Sequence, residues 1–194
     1  MFLALHRLMK AAVLGLMLAG CWWLWTKREV ARPLVDYYEV WEAAGYREPE
    51  PLPRLKGTVT RAVSDTSLYL RDDRGRVWAV GLTGFFGVDP ATRDPRLRRL
   101  AAESRTNLNA LAGQPVELAF TQTNANRTAL GYLYVGTNQF GLADEFVQAG
   151  RWRSAPEGLR PLPLKEQVRL RAAERAARSN QRGLWAAEPS ESSP

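Results

Sequence analysis

The stretch from Lys56 to Phe86 reads KGTVTRAVSDTSLYLRDDRGRVWAVGLTGFF and predicts three short β-strands in a meander. Val59 and Val63 alternate with Thr58, Thr60 and Ala62, which is the period of two typical of a strand. Residues 68–70 resume this pattern, and residues 77–82 form a third run rich in β-forming side chains. The three runs are short and closely spaced, as in a small antiparallel sheet or barrel.

The interruptions between these runs have the composition of tight turns. Asp65 and Thr66 break the first run, and Asp72-Asp73-Arg74-Gly75 breaks the second. Gly75 accepts the positive φ that closes such a turn without a steric penalty. Gly81 and Gly84 interrupt the third run and indicate a bulge or a bend near its end.

The composition excludes several kinds of chemistry. The chain of 194 residues carries a net charge of +7 and has one cysteine, Cys21, and one histidine, His6. Both lie near the N-terminus, so the rest of the chain can form neither a disulfide nor a Cys/His zinc site. Ser-His-Asp and Cys-His catalysis are excluded there for the same reason. The positive charge permits an anionic partner and is equally typical of a solvated Arg-rich surface.

Residues 1–28 predict a membrane anchor or signal segment. The run from Ala11 to Trp25 carries no charge, and as a helix it is about 22 Å long, short of the roughly 30 Å of a hydrocarbon core. A start at Leu8, with Lys10 snorkelling, extends the helix to about 27 Å. An uncleaved anchor with its domain on the extracytoplasmic side is the favoured interpretation.

Two alternatives stay open for this segment. Leu18-Ala19-Gly20-Cys21 resembles the lipobox of bacterial lipoproteins, in which Cys21 would be lipidated after cleavage. Against lipidation, the apolar run continues through Trp22 to Trp25, where a lipoprotein usually turns polar. Ordinary signal cleavage is the third interpretation.

The remaining chain divides into three parts by composition. Residues 29–54 predict a short helix followed by a stiff Pro-rich stalk, because each proline fixes φ and disfavours a helix before it. Residues 55–186 form the predicted domain, and residues 187–194 are a Ser/Pro/Glu tail that we expect to be disordered. Within the domain, the pattern predicts a helix at 97–111, strands at 116–123 and 130–135, a short helix at 141–149 and a long one at 164–182.

Five pieces of sequence, in order, resemble the staphylococcal-nuclease-like (thermonuclease) domain family. They are the Asp-Thr pair after the first strand, the Leu82-Thr83-Gly84-Phe85 step, LAGQPVELAF, the helix ending Phe146-Val147-Gln148-Ala149-Gly150, and LRAAERAARSNQRGLW. The likeness covers about residues 55–186. It implies an α+β fold: a five-stranded OB-type β-barrel with about three packed helices, here preceded by an N-terminal membrane-anchor helix.

The resemblance also implies a phosphodiesterase that uses one Ca²⁺ ion, two arginines and a glutamate. Such a site works because fixed cations and an electrophilic metal stabilise the charge that develops on the phosphate. By position, Asp65 matches the first metal carboxylate. Asp89 matches the glutamate that activates water, although it is one methylene shorter. Asp65 and Asp89 are therefore the candidate metal ligands, and Asp89 and Arg127 the candidate catalytic residues.

The sequence departs from the family pattern at the positions that matter most. Gly81 stands where the first catalytic arginine is expected, and Phe86 stands at the second metal carboxylate. The second arginine falls on Thr128, with Arg127 beside it, and neighbouring residues of a strand face opposite ways. Two carboxylates are too few for an ion that takes six to eight oxygens. Asp65 as a turn cap and Asp89 as a loop residue are the simpler interpretations.

The favoured hypothesis is a monomeric, membrane-anchored and catalytically degenerate barrel that binds nucleic acid or a protein. The candidate nucleic-acid-binding residues cluster in and before the first domain helix: Arg93, Arg96, Arg98, Arg99 and Arg105. Such binding would be weak and independent of sequence, and Phe85 and Phe86 could add a stacking platform for bases. The alternatives are a divergent calcium-dependent phosphodiesterase and a structural envelope lipoprotein. We expect no cofactor, and Ca²⁺ only if the nuclease interpretation holds.

Overall fold

The computed structural model describes residues 13–22, 26, 28–89, 91–136 and 141–186. The chain divides into two compact units, Met1–Glu39 and Val40–Pro194. In the first unit, residues 13–22 are helical and expose their apolar side chains, and the helix α1 (Arg28–Ala43) begins there. This helix agrees with the short helix predicted after the N-terminal segment.

No helix within the described residues is long and apolar enough to cross a membrane. Much of the predicted anchor, residues 1–12, 23–25 and 27, lies outside the described residues, as does the predicted tail at 187–194. The anchor therefore stays a prediction. Residues 48–53 form neither helix nor strand, and they pack within the second unit. Glu48 accepts a hydrogen bond from the Leu164 amide (3.1 Å), and Leu52 packs on the core.

Five strands of the second unit close into a barrel in the order β1-β2-β3-β6-β5. Neighbouring strands are antiparallel except β3 and β6, which are parallel. The barrel strands are β1 (Arg54–Ala62), β2 (Ser67–Asp72), β3 (Val77–Leu82), β5 (Pro115–Thr123) and β6 (Thr128–Val135). The predicted fold class, α+β with a closed five-stranded barrel and packed helices, is thereby confirmed, and the barrel is consistent with the OB type.

A second, two-stranded sheet was not predicted. It joins β4 (Phe85–Phe86) to β7 (Arg153–Ser154), with Phe86 opposite Arg153. The chain enters β4 through Gly84, whose φ of +83° gives the bend expected at this point. The register shifts in the barrel lie elsewhere, between Val59 and Arg61 in β1 and between Phe120 and Gln122 in β5.

Within the described residues, four helices and a 3-10 turn pack on or beside the barrel. They are α2 (Pro95–Asn109), α3 (Leu142–Gln148), α4 (Pro156–Leu159), α5 (Leu164–Ser179) and a 3-10 turn (Gly183–Ala186). The start of α2 is fixed by Asp94, whose carboxylate accepts from the Arg96 amide, and by Pro95 in the first turn. The α4 turn was not predicted, and α5 ends at Ser179, three residues before the predicted end.

The core has two layers, one inside the barrel and one between the barrel and the helices. As a result, β6 is buried on both faces. Apolar side chains such as Leu68, Leu70 and Leu118 fill the barrel interior. Outside it, α3 and α5 pack together and α3 covers β6, so that Tyr132 and Tyr134 are buried as well as Leu133. This is why a strand with alternating side-chain directions shows no alternation in burial.

Two of the motifs that carry the family resemblance meet in space. The amide of Leu184 donates to the carbonyl of Gly150 (2.7 Å), and a Cβ on Gly150 would lie 2.1 Å from the Arg182 carbonyl oxygen. Only glycine permits this approach. It folds the Gly-Leu-Trp segment back, and Trp185 is buried.

Candidate functional site

The turn before β2 and the loop after β4 form the region where the resemblance places a metal. Asp65 is half-buried there, and its Oδ2 accepts a hydrogen bond from the Val88 amide at 2.8 Å. The indole N–H of Trp152 donates to the Asp65 backbone carbonyl at 3.0 Å. Asp65 therefore ties the loop to the turn, which is the role of a structural turn aspartate.

The Asp65 carboxylate packs closely against the backbone at Gly87. A Cβ built on Gly87 would lie only 1.9 Å from Asp65 Oδ2, so the carboxylate occupies the space that a side chain at residue 87 would need. Within the described ranges, no group of three or more His, Cys, Asp or Glu residues could hold a metal ion. Asp65 and Asp89 alone do not supply the oxygen set that Ca²⁺ prefers, so these residues do not fit the calcium site that the resemblance implies.

Asp89 lies in the same loop but on the surface. Its Oδ1 accepts from the Ala91 amide at 2.8 Å, and its carbonyl accepts from the Thr92 amide at 3.0 Å. This is a local side-chain-to-backbone turn. The carboxylate is exposed and points at no described cation, since it makes no ion pair in the part of the chain that the structure describes.

Gly81 and Phe86, the two departures from the family pattern nearest to this loop, have different surroundings. Gly81 pairs with Leu130 of β6, and a Cβ at residue 81 would meet Leu130 Cδ2 at 2.7 Å. Phe85 is buried and stacks on Trp152 with ring centroids 5.4 Å apart, whereas Phe86 is 62% exposed. Phe85 therefore belongs to the core, and of the two phenylalanines only Phe86 is on the surface.

Arg127 sits in the turn between β5 and β6. It has a positive φ of 56°, and its carbonyl accepts from the Ala79 amide at 2.9 Å, so the backbone rather than the side chain fixes this residue. The guanidinium is exposed and has no hydrogen bond or ion pair among the described residues. Thr128 pairs with Ala79, two residues before Gly81 on β3.

The five arginines proposed for nucleic-acid binding are all exposed, but they do not form one patch. Ser104 and Leu108 mark the buried face of α2. With 3.6 residues per turn, Arg96 and Arg99 fall on one side of this face, and Arg98 and Arg105 fall on the other.

The Arg96 side of α2 borders a groove. The groove has a volume of about 170 Å³ and runs between α2 and the 3-10 turn. Its lining includes Arg96, Arg99 and Glu103 from the helix together with Gly183 and Ala186. A neighbouring groove of about 300 Å³ shares Arg99 and adds Arg151.

Sequence reasoning treated Asp72 as a turn residue, and in the structure it is a buried carboxylate held by several hydrogen bonds. It is 6% exposed and accepts four hydrogen bonds, from the amides of Arg74 (3.0 Å) and Arg76 (2.9 Å) and the side chains of Arg76 (2.7 Å) and Trp78 (3.0 Å). Burial acts to raise the pKa of Asp72, but the bonds from Trp78, Arg76 and Arg74 outweigh it and hold the pKa well below its ordinary value.

A second, partly buried polar cluster joins α5 to β6 and β1. The Tyr134 hydroxyl donates to Glu166 Oε2 at 2.8 Å, and the Arg54 guanidinium lies 5.0 Å from the Tyr134 ring centroid. Burial raises the pKa of Glu166, against the hydrogen bond from Tyr134 and the charge of Arg54. Burial also raises the pKa of Tyr134, with the charge of Glu166 adding to the effect. Neither residue was singled out from the sequence, because the contact joins residues far apart in the chain.

No family model matches the chain, and no curated protein matches its sequence at a significant level. The family resemblance therefore depends on the quoted motifs and on the barrel.

Proposed function

We propose that this barrel is a catalytically degenerate member of the staphylococcal-nuclease-like domain family that binds nucleic acid without hydrolysing it. In this proposal, the N-terminal segment attaches the domain to a membrane. The observation that carries the proposal is the state of the loop after β4. The metal-type carboxylate that the sequence retains, Asp65 in the turn before β2, accepts a hydrogen bond from the backbone of this loop, and the next metal position is an exposed phenylalanine of β4, Phe86.

The expected loss of catalysis is large. Removing one preorganised charge-stabilising group typically costs on the order of 10²–10³ in rate. Three such positions are changed, to Gly81, Phe86 and Thr128, and although penalties within one site are not additive, two of them bring a family-like rate close to background. Asp89 in place of glutamate also draws the carboxylate back by roughly 1 Å, enough to misplace a water.

The support for binding is electrostatic. The chain carries a net charge of +7, and the α2 arginines that line the groove, Arg96 and Arg99, are exposed. Among them, Arg99 is paired with Glu103 at 3.1 Å, with 83% of the Arg99 side chain exposed. An ion pair that exposed contributes little, so a phosphate can compete for the arginine.

The support for membrane attachment is the exposure of apolar side chains in the first unit. Leu14, Leu16 and Leu18 are each more than 60% exposed on the helical residues 13–22. Together with the uncharged run to Trp25, this is the pattern of a segment that buries its side chains in lipid.

One reaction tests binding and hydrolysis together. The full-length protein, purified in detergent, is incubated with a labelled single-stranded oligonucleotide and millimolar Ca²⁺, then divided between a native and a denaturing gel. We expect a retarded band on the native gel, which weakens steeply as salt rises, and intact oligonucleotide on the denaturing gel.

The Asp89→Ala variant is the matched control. Calcium-dependent cleavage that Asp89→Ala abolishes would show that the domain is a divergent phosphodiesterase, with Arg127 the first residue to substitute next. If the oligonucleotide is neither retarded nor cleaved at low salt, the proposal of nucleic-acid binding is refuted. For the membrane part, full-length protein recovered free in the soluble fraction, like a variant that starts at Arg32, would refute attachment.

A further inference from the structure

We propose that the domain binds single-stranded nucleic acid across the 3-10 turn, with a base stacked on Phe86 and phosphates held by Arg153, Arg178, Arg96 and Arg99. This inference rests on the proposed function and specifies where, and in which form, the nucleic acid binds. It differs from the expectation of a general Arg cluster, because only one flank of α2 takes part.

The small sheet of β4 and β7 supplies the aromatic ring. Phe86 and Arg153 are directly opposite each other in this antiparallel pair, so their side chains project from the same face. The opposite face carries Phe85, which is buried, and Ser154, whose amide donates to Glu174 at 3.2 Å. The outer face therefore presents an exposed aromatic ring beside an exposed guanidinium.

Two arginines, one of them Arg153, lie against the ring of Trp185. Arg153 makes no ion pair within the described residues, and its Cζ lies 5.6 Å from the Trp185 ring centroid. Arg178 approaches the same ring more closely, at 4.0 Å, and lies 3.7 Å from the Glu174 carboxylate. The Trp185 ring helps to position both guanidinium groups and does not itself neutralise their charge, although Arg178 also pairs with Glu174.

The 3-10 turn connects this pair of cations to α2. Trp185 belongs to the turn, and the neighbouring residues Gly183 and Ala186 line the groove that also contains Arg96 and Arg99. Cations from α5, β7 and α2 therefore border one short element. Glu103 is the carboxylate in this groove, and it sits in an exposed pair with Arg99.

The chemistry favours a single strand over a duplex or an apolar partner. Proteins that bind single strands combine a basic groove with aromatic rings on which bases stack, and a duplex offers no unstacked base to Phe86. A protein-binding patch would present a larger apolar area than one ring flanked by cations.

The test compares variants of the full-length protein in detergent by fluorescence anisotropy, with a labelled oligothymidine of about twelve nucleotides, within the usual site sizes. Phe86→Leu should weaken binding roughly tenfold, since one base-stacking contact is lost. Phe86→Tyr keeps an aromatic ring and should bind like the wild type. Arg96→Ala/Arg99→Ala should lower the slope of log K against log salt by about 1.4, because each phosphate contact on a single strand contributes about 0.7. Arg153→Ala/Arg178→Ala should do the same.

The matched control is Arg98→Ala/Arg105→Ala, which removes the same charge from the same helix on its other flank. It should leave the salt slope unchanged. If the wild type binds but this control reduces the slope as much as Arg96→Ala/Arg99→Ala, or if Phe86→Leu has no effect, the inference is overturned while nucleic-acid binding stands. If the wild type does not bind at low salt, the proposed function itself fails. Melting temperatures of all variants separate lost contacts from lost folding.

Discussion

The two ends of β2 each carry an aspartate in a turn, and the two carboxylates have opposite surroundings. Asp65, before the strand, is half-buried and accepts one backbone amide through Oδ2. Asp72, at the end of the strand, is 6% exposed and accepts four hydrogen bonds, two of them from side chains. The family resemblance assigns chemistry to Asp65, yet the stronger electrostatic arrangement surrounds Asp72, which holds a hairpin together.

A carboxylate has a purely structural role when fixed donors satisfy both of its oxygens. Around Asp72, every oxygen is committed to donors from one hairpin, and the Arg76 guanidinium also lies 5.8 Å from the Trp78 ring. Around Asp65, one oxygen is committed and the glycine at residue 87 leaves just enough room for it. A site saturated with fixed donors has no capacity left for a ligand, whereas a site with one donor is held loosely and can be altered at a smaller cost.

Asp72→Ala should lower stability more than a substitution of any other aspartate in this comparison. It leaves four donors without their acceptor, two of them in the turn that connects β2 to β3, and buried donors without acceptors are costly. We expect a fall in melting temperature several-fold larger than that of Asp65→Ala, measured by circular dichroism. Asp73→Ala, at the exposed neighbouring position, is the control and should have little effect. Equal effects of Asp72→Ala and Asp73→Ala would refute the structural role.

The same comparison predicts a pH dependence. The pKa of Asp72 is lower in the folded protein than its ordinary value near 4. Its contribution to stability is therefore fully present above that ordinary pKa and is lost as the pH falls toward the folded pKa. Denaturant unfolding of the wild type and Asp72→Asn should show a constant difference between pH 6 and pH 8 and a shrinking one below about pH 4. A difference that grows on acidification would contradict this account.

The barrel was predictable because its information is local. The period of two in the stretch from Lys56 to Phe86 and the turn at Gly75 place β1, β2 and β3 correctly, and the turn glycine has a φ of +76°. The sheet of β4 and β7 was missed because each of its strands is two residues long, too short to show a period. Their pairing depends on contacts between distant segments, which no local pattern reports.

The site could be predicted by position but not by environment. The motif match located Asp65, Asp89 and Phe86 in one loop region, and the structure agrees that Asp65 touches this loop. The role of Asp72 had a signal in the sequence, since Arg76 and Trp78 follow it across a two-stranded hairpin. Its importance depends on burial, and burial is a property of the closed barrel rather than of the hairpin.

A double substitution sharpens the account of Asp65. Gly87→Ala should destabilise by about 1–3 kcal/mol through overpacking against the carboxylate, because the added Cβ would lie 1.9 Å from Asp65 Oδ2. Asp65→Ala should cost about 1 kcal/mol for the lost bond to the Val88 amide. The two together should cost less than the sum, because removing the carboxylate also removes the clash. Strict additivity in urea unfolding would show that Asp65 does not occupy this space.

The smallest effect is expected at Asp89, the third carboxylate of the comparison. It is exposed and bonds only within its own turn, so Asp89→Ala should change the free energy of unfolding by less than about 0.5 kcal/mol. The Asp89→Ala variant is more informative when melting temperatures are compared with and without calcium. An ion that binds only the folded protein at 100 times its dissociation constant stabilises it by about 2.7 kcal/mol.

We expect no increase in melting temperature between a chelator and 10 mM Ca²⁺, because Asp65 and Asp89 fall short of the six to eight oxygens that calcium takes. Mg²⁺ at the same concentration controls for general ionic effects. If calcium alone raises the melting temperature, and both Asp65→Ala and Asp89→Ala abolish the increase, the loop after β4 is a metal site after all. Asp72→Asn serves as the last control, with its own melting temperature in chelator as the reference. If calcium still stabilises this variant, the ion binds at the Asp65 end of β2 and not at Asp72, whose oxygens are already satisfied.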